Sequence, residues 1–259
     1  GNLSNWQQQL PSHVIALGFF DGLHKGHQQV IQVAKRRANT LGLPLAVMSF
    51  FPHPKSVLPG GKQSIEYLMP LNKKQEKLAE LGVDYFFIVE FNLAFASLEP
   101  QKFIEHYVLG LNSKHVVCGY DYSYGKKGAG NVHSLFEDGN GDLGVTVVPK
   151  VDLFGGKVSS TRIRENLLYG NVQFINELLG EPYSVQWCKE KGLFPYYTLP
   201  APGLYEVSLV DGPNKARGIV NVEDKELINF LQMQQPLSTN FTIIWHRETY
   251  DHVKHSIIS

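Results

Sequence analysis

A chain of 259 residues is long enough for one large domain or two ordinary ones. Lysine plus arginine and aspartate plus glutamate both number 24, so the formal net charge is zero. That balance argues against a bulk electrostatic partner such as nucleic acid or an anionic membrane, and leaves any anion binding to a local site. The two cysteines, Cys118 and Cys188, lack a Cys-x-x-Cys partner, which fits unpaired thiols in a reducing compartment. No run approaches the ~20 apolar residues of a membrane span, and the start, "GNLSNWQQQLP", has neither a basic nor an apolar leader region. The expected location is the cytoplasm, with no membrane partner.

The pattern alternates up to about residue 180. "HVIALGF" reads as a buried strand. "GHQQVIQVAKRRANTLG" carries a helical stripe at Val30, Ile31, Ala34, Ala38 and Leu41, with Gly42 as its C-cap. "LPLAVMSF" is a second strand, "LNKKQEKLAELG" a helix ending at Gly82, and "VDYFFIVEF" a third strand. "EPQKFIEHYVLG" opens on Glu-Pro, a good helix start, and stops at Gly110. "KHVVCGY" and "GVTVVPKV" are the fourth and fifth strands, and "STRIRENLLYG" and "VQFINELLG" are helices. Uniformly apolar strands separated by helices predict a parallel sheet covered on both faces, with ligands at the carboxyl ends of its strands.

After Gly180 the texture changes. Prolines and glycines separate short runs such as "LYEVSLV", "ARGIVNV" and "NFTIIWHRE", the signature of a small, mostly antiparallel β domain. The expected organisation is an α/β domain over residues 1–181 and a β-barrel domain over 182–259.

Four stretches carry chemistry. In "ALGFFDGLHKGH", His24 and His27 sit at i and i+3 where a strand hands over to a helix. They have four readings: metal ligands with His53 or Asp21 as a third, a base pair, unrelated surface histidines, or a phosphate cradle. The context favours the cradle. The first helical turn has free N–H groups and the positive end of the helix dipole, and Gly22 and Gly26 let the backbone approach a ligand. It is neither a P-loop nor a dinucleotide fingerprint, because the required Gly-Lys-Ser/Thr and glycine spacings are missing.

In "VSSTRIRENL", Ser159, Ser160 and Thr161 enter a helix, and Arg164 follows on Thr161's face. Hydroxyls, N–H groups and a guanidinium make a second anion site. "VVCGYDYSYGKKGAGN" is a glycine-rich loop with Gly119, Asp121 and three tyrosines (Tyr120, Tyr122 and Tyr124) suited to stacking on flat rings. "FFPHPKSVL" sets His53 between two stiffening prolines.

Taken together, G-x-F-D-G-x-H-x-G-H, F-x-P-H-P, G-x-D-x-x-Y-G and S-S-T-x-I-R resemble the prokaryotic FAD synthetases, the bifunctional riboflavin kinase/FMN adenylyltransferases. The resemblance covers about residues 12–180. It implies a nucleotidylyltransferase domain with the HxGH signature that joins FMN to the AMP part of ATP. By it, His24, His27 and Arg164 hold and neutralise phosphate charge. Phe20, Asp21, Gly22 and Gly26 form the first cradle, Ser159, Ser160 and Thr161 the second. Asp121 lies by the reacting groups with Gly119, and His53 on the flavin side. Mg²⁺ travels on the ATP phosphates, and no protein metal cage is expected. One departure is Phe19, where the family has Asn.

The family's kinase module departs more. Its Gly-Phe-Pro-Thr-Ala-Asn is met here only by "GLFPYYTLPAPGLYEV", with Tyr196 and Tyr197 after Pro195. The later catalytic Glu and its following Asp and Leu-Tyr-Gly are missing, so riboflavin kinase activity is expected to be weak or lost. The rivals are a nucleotidylyltransferase for another phosphate ester and a non-catalytic flavin or nucleotide sensor.

Overall fold

The computed structural model describes residues 9–58, 65–224, 227–233 and 238–249. The chain divides into two compact units. One takes the chain up to residue 65 together with 71–152, and the other takes 66–70 together with 153 onward.

The first unit begins with strand β1 (His13–Leu17), buried along its whole length. Helix α1 (Lys25–Leu41) buries Val30, Ile31, Ala34 and Ala38 and ends at Gly42, whose left-handed φ of 65° suits a residue without a side chain. Then come β2 (Leu45–Phe51), α2 (Leu71–Glu80) and β3 (Tyr85–Glu90). Helix α3 (Pro100–Phe103) starts at Glu-Pro as expected but continues as a π-helical stretch, Ile104–Leu109. Apolar periodicity reports the buried face of such a segment and does not resolve its wider winding. Strand β4 (Ser113–Gly119) follows. A small ladder of β5 (Ser123–Tyr124) and β6 (Gly130–Asn131) comes next, and then β7 (Gly144–Val148).

All pairings in the main sheet are parallel, in the order β3-β2-β1-β4-β7. The chain adds strands outward from β1 to β3, then returns to the other side of β1. That reversal opens a crevice at the carboxyl ends of β1 and β4, where ligands of such sheets bind. Beneath it, Ile15, Leu17, Met48, Phe103, Ile104 and Val116 form one apolar cluster.

Tyr122 and Tyr124 belong to that cluster's packing rather than to an open stacking platform. Their rings stack on each other at 5.9 Å, and the Tyr124 hydroxyl donates to Asp138. Tyr120 remains exposed.

Packing is equally tight at Gly144, where a β-carbon would fall inside contact distance of the His115 ring. That ring is held by Thr146 at 2.8 Å. Gly144→Ala should therefore destabilise the unit by about 1–3 kcal/mol, read as a lower urea midpoint at unchanged slope.

The second unit contains a short hairpin, β8 (Asp152–Leu153) and β9 (Gly156–Lys157), followed by α4 (Ser160–Leu167) and α5 (Val172–Leu179). Six antiparallel strands follow: β10 (Ser184–Cys188), β11 (Gly192–Leu193), β12 (Gly203–Asp211), β13 (Asn214–Val222), β14 (Ile228–Met233) and β15 (Asn240–Thr249). Their order is β11-β10-β15-β12-β13-β14. The sheet curls like a half-barrel: Phe230 on β14 meets Trp187 on β10, with three strands between them in the order. Tyr205 and Trp245 meet edge to face at its centre. Asn176 docks α5 on this sheet by donating to the Trp245 carbonyl at 2.9 Å and accepting from the Tyr183 N–H at 2.7 Å. The compact units thus separate near 152/153, whereas composition changes near 180.

Candidate functional site

The turn between β1 and α1 is built from unusual backbone. Phe20, Gly22 and Leu23 all have positive φ, at 53°, 77° and 44°. Gly22 takes this conformation without penalty, but the two side-chain-bearing residues are strained and need support from their surroundings. Asp21 and Phe20 are almost fully buried at 1% exposure, so the turn folds inward under the sheet edge.

His24 is the N-cap of α1. Its Nδ1 accepts from the His27 N–H at 3.3 Å. This bond assigns the lone pair to Nδ1 and leaves Nε2 as the donor of the neutral ring. The His24 and His27 rings stack at 3.6 Å, and Phe20 packs edge-on against His27 at 5.3 Å. Gly26 is the second residue of the helix, between the two rings. A 17-residue helix thus points its N-terminus at the carboxyl edge of β1, with two imidazoles at its mouth. Among the described residues no group of three or more His, Cys, Asp or Glu is arranged to hold a metal ion.

His53 reaches the same turn from the end of β2. It caps a helical turn at Pro54–Val57, accepting from the Lys55 N–H at 3.1 Å, and its ring meets Phe19 at 4.3 Å. Gly119 ends β4 and Asp121 follows it, and Cys118 of that strand pairs beside Leu17 of β1, so they stand at the same sheet edge. Asp121 is exposed there. Burial, with Asp121 adding to it, pushes the Cys118 thiol up to about 12, which makes it an inert core residue.

The structure therefore gathers Phe20, Asp21, Gly22, His24, Gly26 and His27 in one turn. It brings His53, Gly119 and Asp121 to the same edge. Ser159, Ser160, Thr161 and Arg164 lie in the second unit. There Ser159 caps α4, accepting from the Arg162 N–H at 3.2 Å. The two arginines of the motif differ in use. Arg162 Nη1 donates to the carbonyls of Leu153 and Gly156 at 2.8 Å, and its guanidinium lies 4.8 Å from the Phe174 ring, so it ties the hairpin to the helix. Arg164 is oriented by Nε donating to the Glu66 carbonyl at 2.6 Å.

One residue escaped the sequence reading. Lys74 on α2 is 2% exposed. Its ammonium donates to the Phe19 carbonyl at 2.9 Å and to Ser49 Oγ at 3.3 Å. Burial pushes it down to about 8, partly offset by Asp21. The signal was present: Leu71, Lys74 and Leu78 share one helical stripe, and a lysine stands where an apolar residue is expected.

The chain is similar to several known proteins. The family model for FAD synthetase matches residues 6–162. A bifunctional riboflavin kinase/FMN adenylyltransferase of Listeria monocytogenes is 46% identical over 67% of this chain and 55% of its own length, so the chain spans just over half of that relative. The Bacillus subtilis protein of the same name is 36% identical over 89% of this chain and 78% of its own. A second Listeria protein, named FAD synthetase, is 33% identical over 83% of this chain and 85% of its own. A crystal structure from Streptococcus pneumoniae, titled a macrolide-efflux protein, superposes with a TM-score of 0.81. It is 31% identical and covers 94% of this chain and 96% of that one.

Proposed function

We propose, because this chain belongs to the FAD synthetase family, that it transfers AMP from ATP to FMN, giving FAD and pyrophosphate. The observation that carries the reading is the His24–His27 stack at the mouth of α1, at the reversal point of the parallel sheet.

An oxygen of the FMN phosphate attacks the α-phosphorus of ATP. A new P–O bond forms as the bond to the β-phosphate's bridging oxygen breaks, and pyrophosphate leaves. The attacking phosphate is already ionised near neutral pH, so no protein nucleophile or base is needed. The protein's task is alignment and charge neutralisation. His24, His27 and the α1 N–H groups hold the triphosphate, with Phe20, Asp21, Gly22 and Gly26 shaping the turn around it. Ser159, Ser160, Thr161 and Arg164 form the second grip. His53, Gly119 and Asp121 line the acceptor side. Mg²⁺ arrives on the ATP phosphates as part of the substrate. The reaction belongs to the cytoplasm and engages neither nucleic acid nor a membrane.

We assign this chemistry to residues 1–181 and regard 182–259 as a riboflavin-kinase-like half-barrel whose kinase activity is weak or lost. Tyr196 and Tyr197 stand where that motif needs Thr and Ala, and Tyr196 is half exposed at a positive φ of 66°. A relative named FAD synthetase alone, matched along most of its length, supports the same reading. The efflux wording of the Streptococcus title does not transfer, because a phosphate cradle offers no path for a solute across a membrane. No helix among the described residues is long and apolar enough to cross one.

Mass-spectrometric product analysis with FMN, riboflavin, ATP and Mg²⁺ tests both modules. FAD and pyrophosphate are expected from FMN, and no FMN from riboflavin. Robust FMN formation would overturn the loss of kinase activity. A dinucleotide formed from another phosphate ester in place of FMN would overturn the acceptor assignment. Nucleotide and flavin binding without any product would favour a sensor.

A further inference from the structure

We propose that Lys74 is the positioning residue of the first cradle: with Ser49 it clamps the Phe19 carbonyl and so holds the strained turn that delivers His24 to the sheet edge. The inference rests on the adenylyltransferase reading above.

Two donors converge on one carbonyl oxygen. Ser49 Oγ, fully buried on β2, donates to Phe19 O at 2.7 Å, and Lys74 Nζ donates to the same atom at 2.9 Å. The two donors are themselves bonded at 3.3 Å. The ammonium also lies 5.0 Å from the centre of the Phe19 ring, an added cation–π contact. Immediately after this carbonyl the backbone turns left-handed at Phe20 and again at Gly22 and Leu23, and His24 follows. A buried ammonium is costly unless it is paired, and here its electrostatic partner is Asp21, inside the turn it clamps. A hydrophobic side chain would fill the same space at lower cost. A lysine there therefore points to the placement of the turn. Because Lys74 is 2% exposed and gives two of its three N–H groups to these partners, it acts through His24 and His27 and does not touch substrate.

The charged and titratable groups around it are Asp21 from the turn, His53 against the Phe19 ring, and Lys73 and Lys77 on its own helix. Burial also pushes Lys77 down to about 8, so Lys77→Gln is the control that removes the second titration.

The sign of the pH effect separates positioning from structure. Lys74 binds its proton less tightly folded than unfolded, where the ordinary value is 10.5. Its contribution to stability therefore rises with pH between about 8 and 10.5. The clamp needs the ammonium, so turnover falls over the same window. In wild-type protein and in Lys77→Gln, kcat for FAD formation should decline between about pH 8 and 9 while the urea midpoint does not fall; above that range Cys118, ordinary at 9 unfolded and pushed up to about 12 folded, lowers stability in turn. Lys74→Arg, whose charge persists, should move that decline beyond pH 10. Lys74→Met should lower kcat about 100-fold at pH 7, in line with the cost of a displaced reacting group, with KM changed less. It should also speed hydrogen exchange of the Phe20–His27 amides at least tenfold.

If Lys74→Met does not fold, the wild-type and Lys74→Arg pH profiles still decide. A decline that is absent, or that Lys74→Arg leaves in place, overturns the proposal. So does a folded Lys74→Met with kcat within twofold of wild type or with unchanged exchange. Wild-type protein that makes no FAD overturns the adenylyltransferase reading instead, and the amide exchange still tests the clamp.

Discussion

His24→Ala is expected to reduce FAD formation by about 10²- to 10³-fold, the usual cost of removing one donor aimed at developing charge. The loss should fall mainly on kcat, because the phosphate charge it meets is greatest as pyrophosphate departs. The same substitution also removes a helix cap. The His24 ring accepts the His27 N–H, so alanine should cost about 0.5–2 kcal/mol of stability as well. The two effects separate with His24→Asn. Asparagine is a good N-cap and returns most of the stability, but it places no imidazole N–H at the mouth of α1. Thermal unfolding and turnover measured on both variants check this. His24→Asn with restored turnover would reduce His24 to a cap.

Arg164→Ala is expected to lower FAD formation about 100-fold with a small change in unfolding temperature, since a guanidinium at developing phosphate charge is worth several kcal/mol. Arg162 gives the contrast. It spans the carbonyls of Leu153, Phe154 and Gly156 and packs on Phe174, so it holds the entry to α4 rather than offering its charge to a ligand. Arg162→Lys should destabilise the second unit by about 1–3 kcal/mol through carbonyls left without donors. Turnover at saturating ATP, set beside unfolding midpoints, distinguishes the two. Equal losses of activity at equal stability would mean that both arginines serve the phosphates.

What the sequence made legible follows physical lines. The strands were readable because β1 and β2 are buried apolar runs and β3, β4 and β7 carry apolar stretches although residues such as Ile88, Lys114 and Val147 are exposed, and α1 because Val30, Ile31, Ala34 and Ala38 keep the helical period up to Gly42. The strand order was not readable, since local pattern carries no record of the return past β1. The cradle was legible because glycines and histidines occur at fixed offsets from a strand end. The clamp beneath it was not, because Lys74, Ser49 and Phe19 meet only after three separate elements pack. Alternating tyrosines look the same whether they face a ligand or the core. Tyr122 and Tyr124 turned inward, and burial pushes the Tyr122 hydroxyl well above its ordinary range. Arg162 and Arg164 carry identical chemistry two positions apart, and only the hairpin before them decides which one its carbonyls engage.

The pairing of β1 with β4 joins His13 to Ser113, 100 residues along the chain. Closing so long a loop is slow, and the crevice has no second wall until it is closed. During synthesis β1 waits with one side unpaired until β4 has left the ribosome. On the adenylyltransferase proposal the cradle is complete only in the folded state, so bound ATP should slow unfolding more than it speeds folding. On that proposal the substrate would also be a kinetic guard of the fold that binds it.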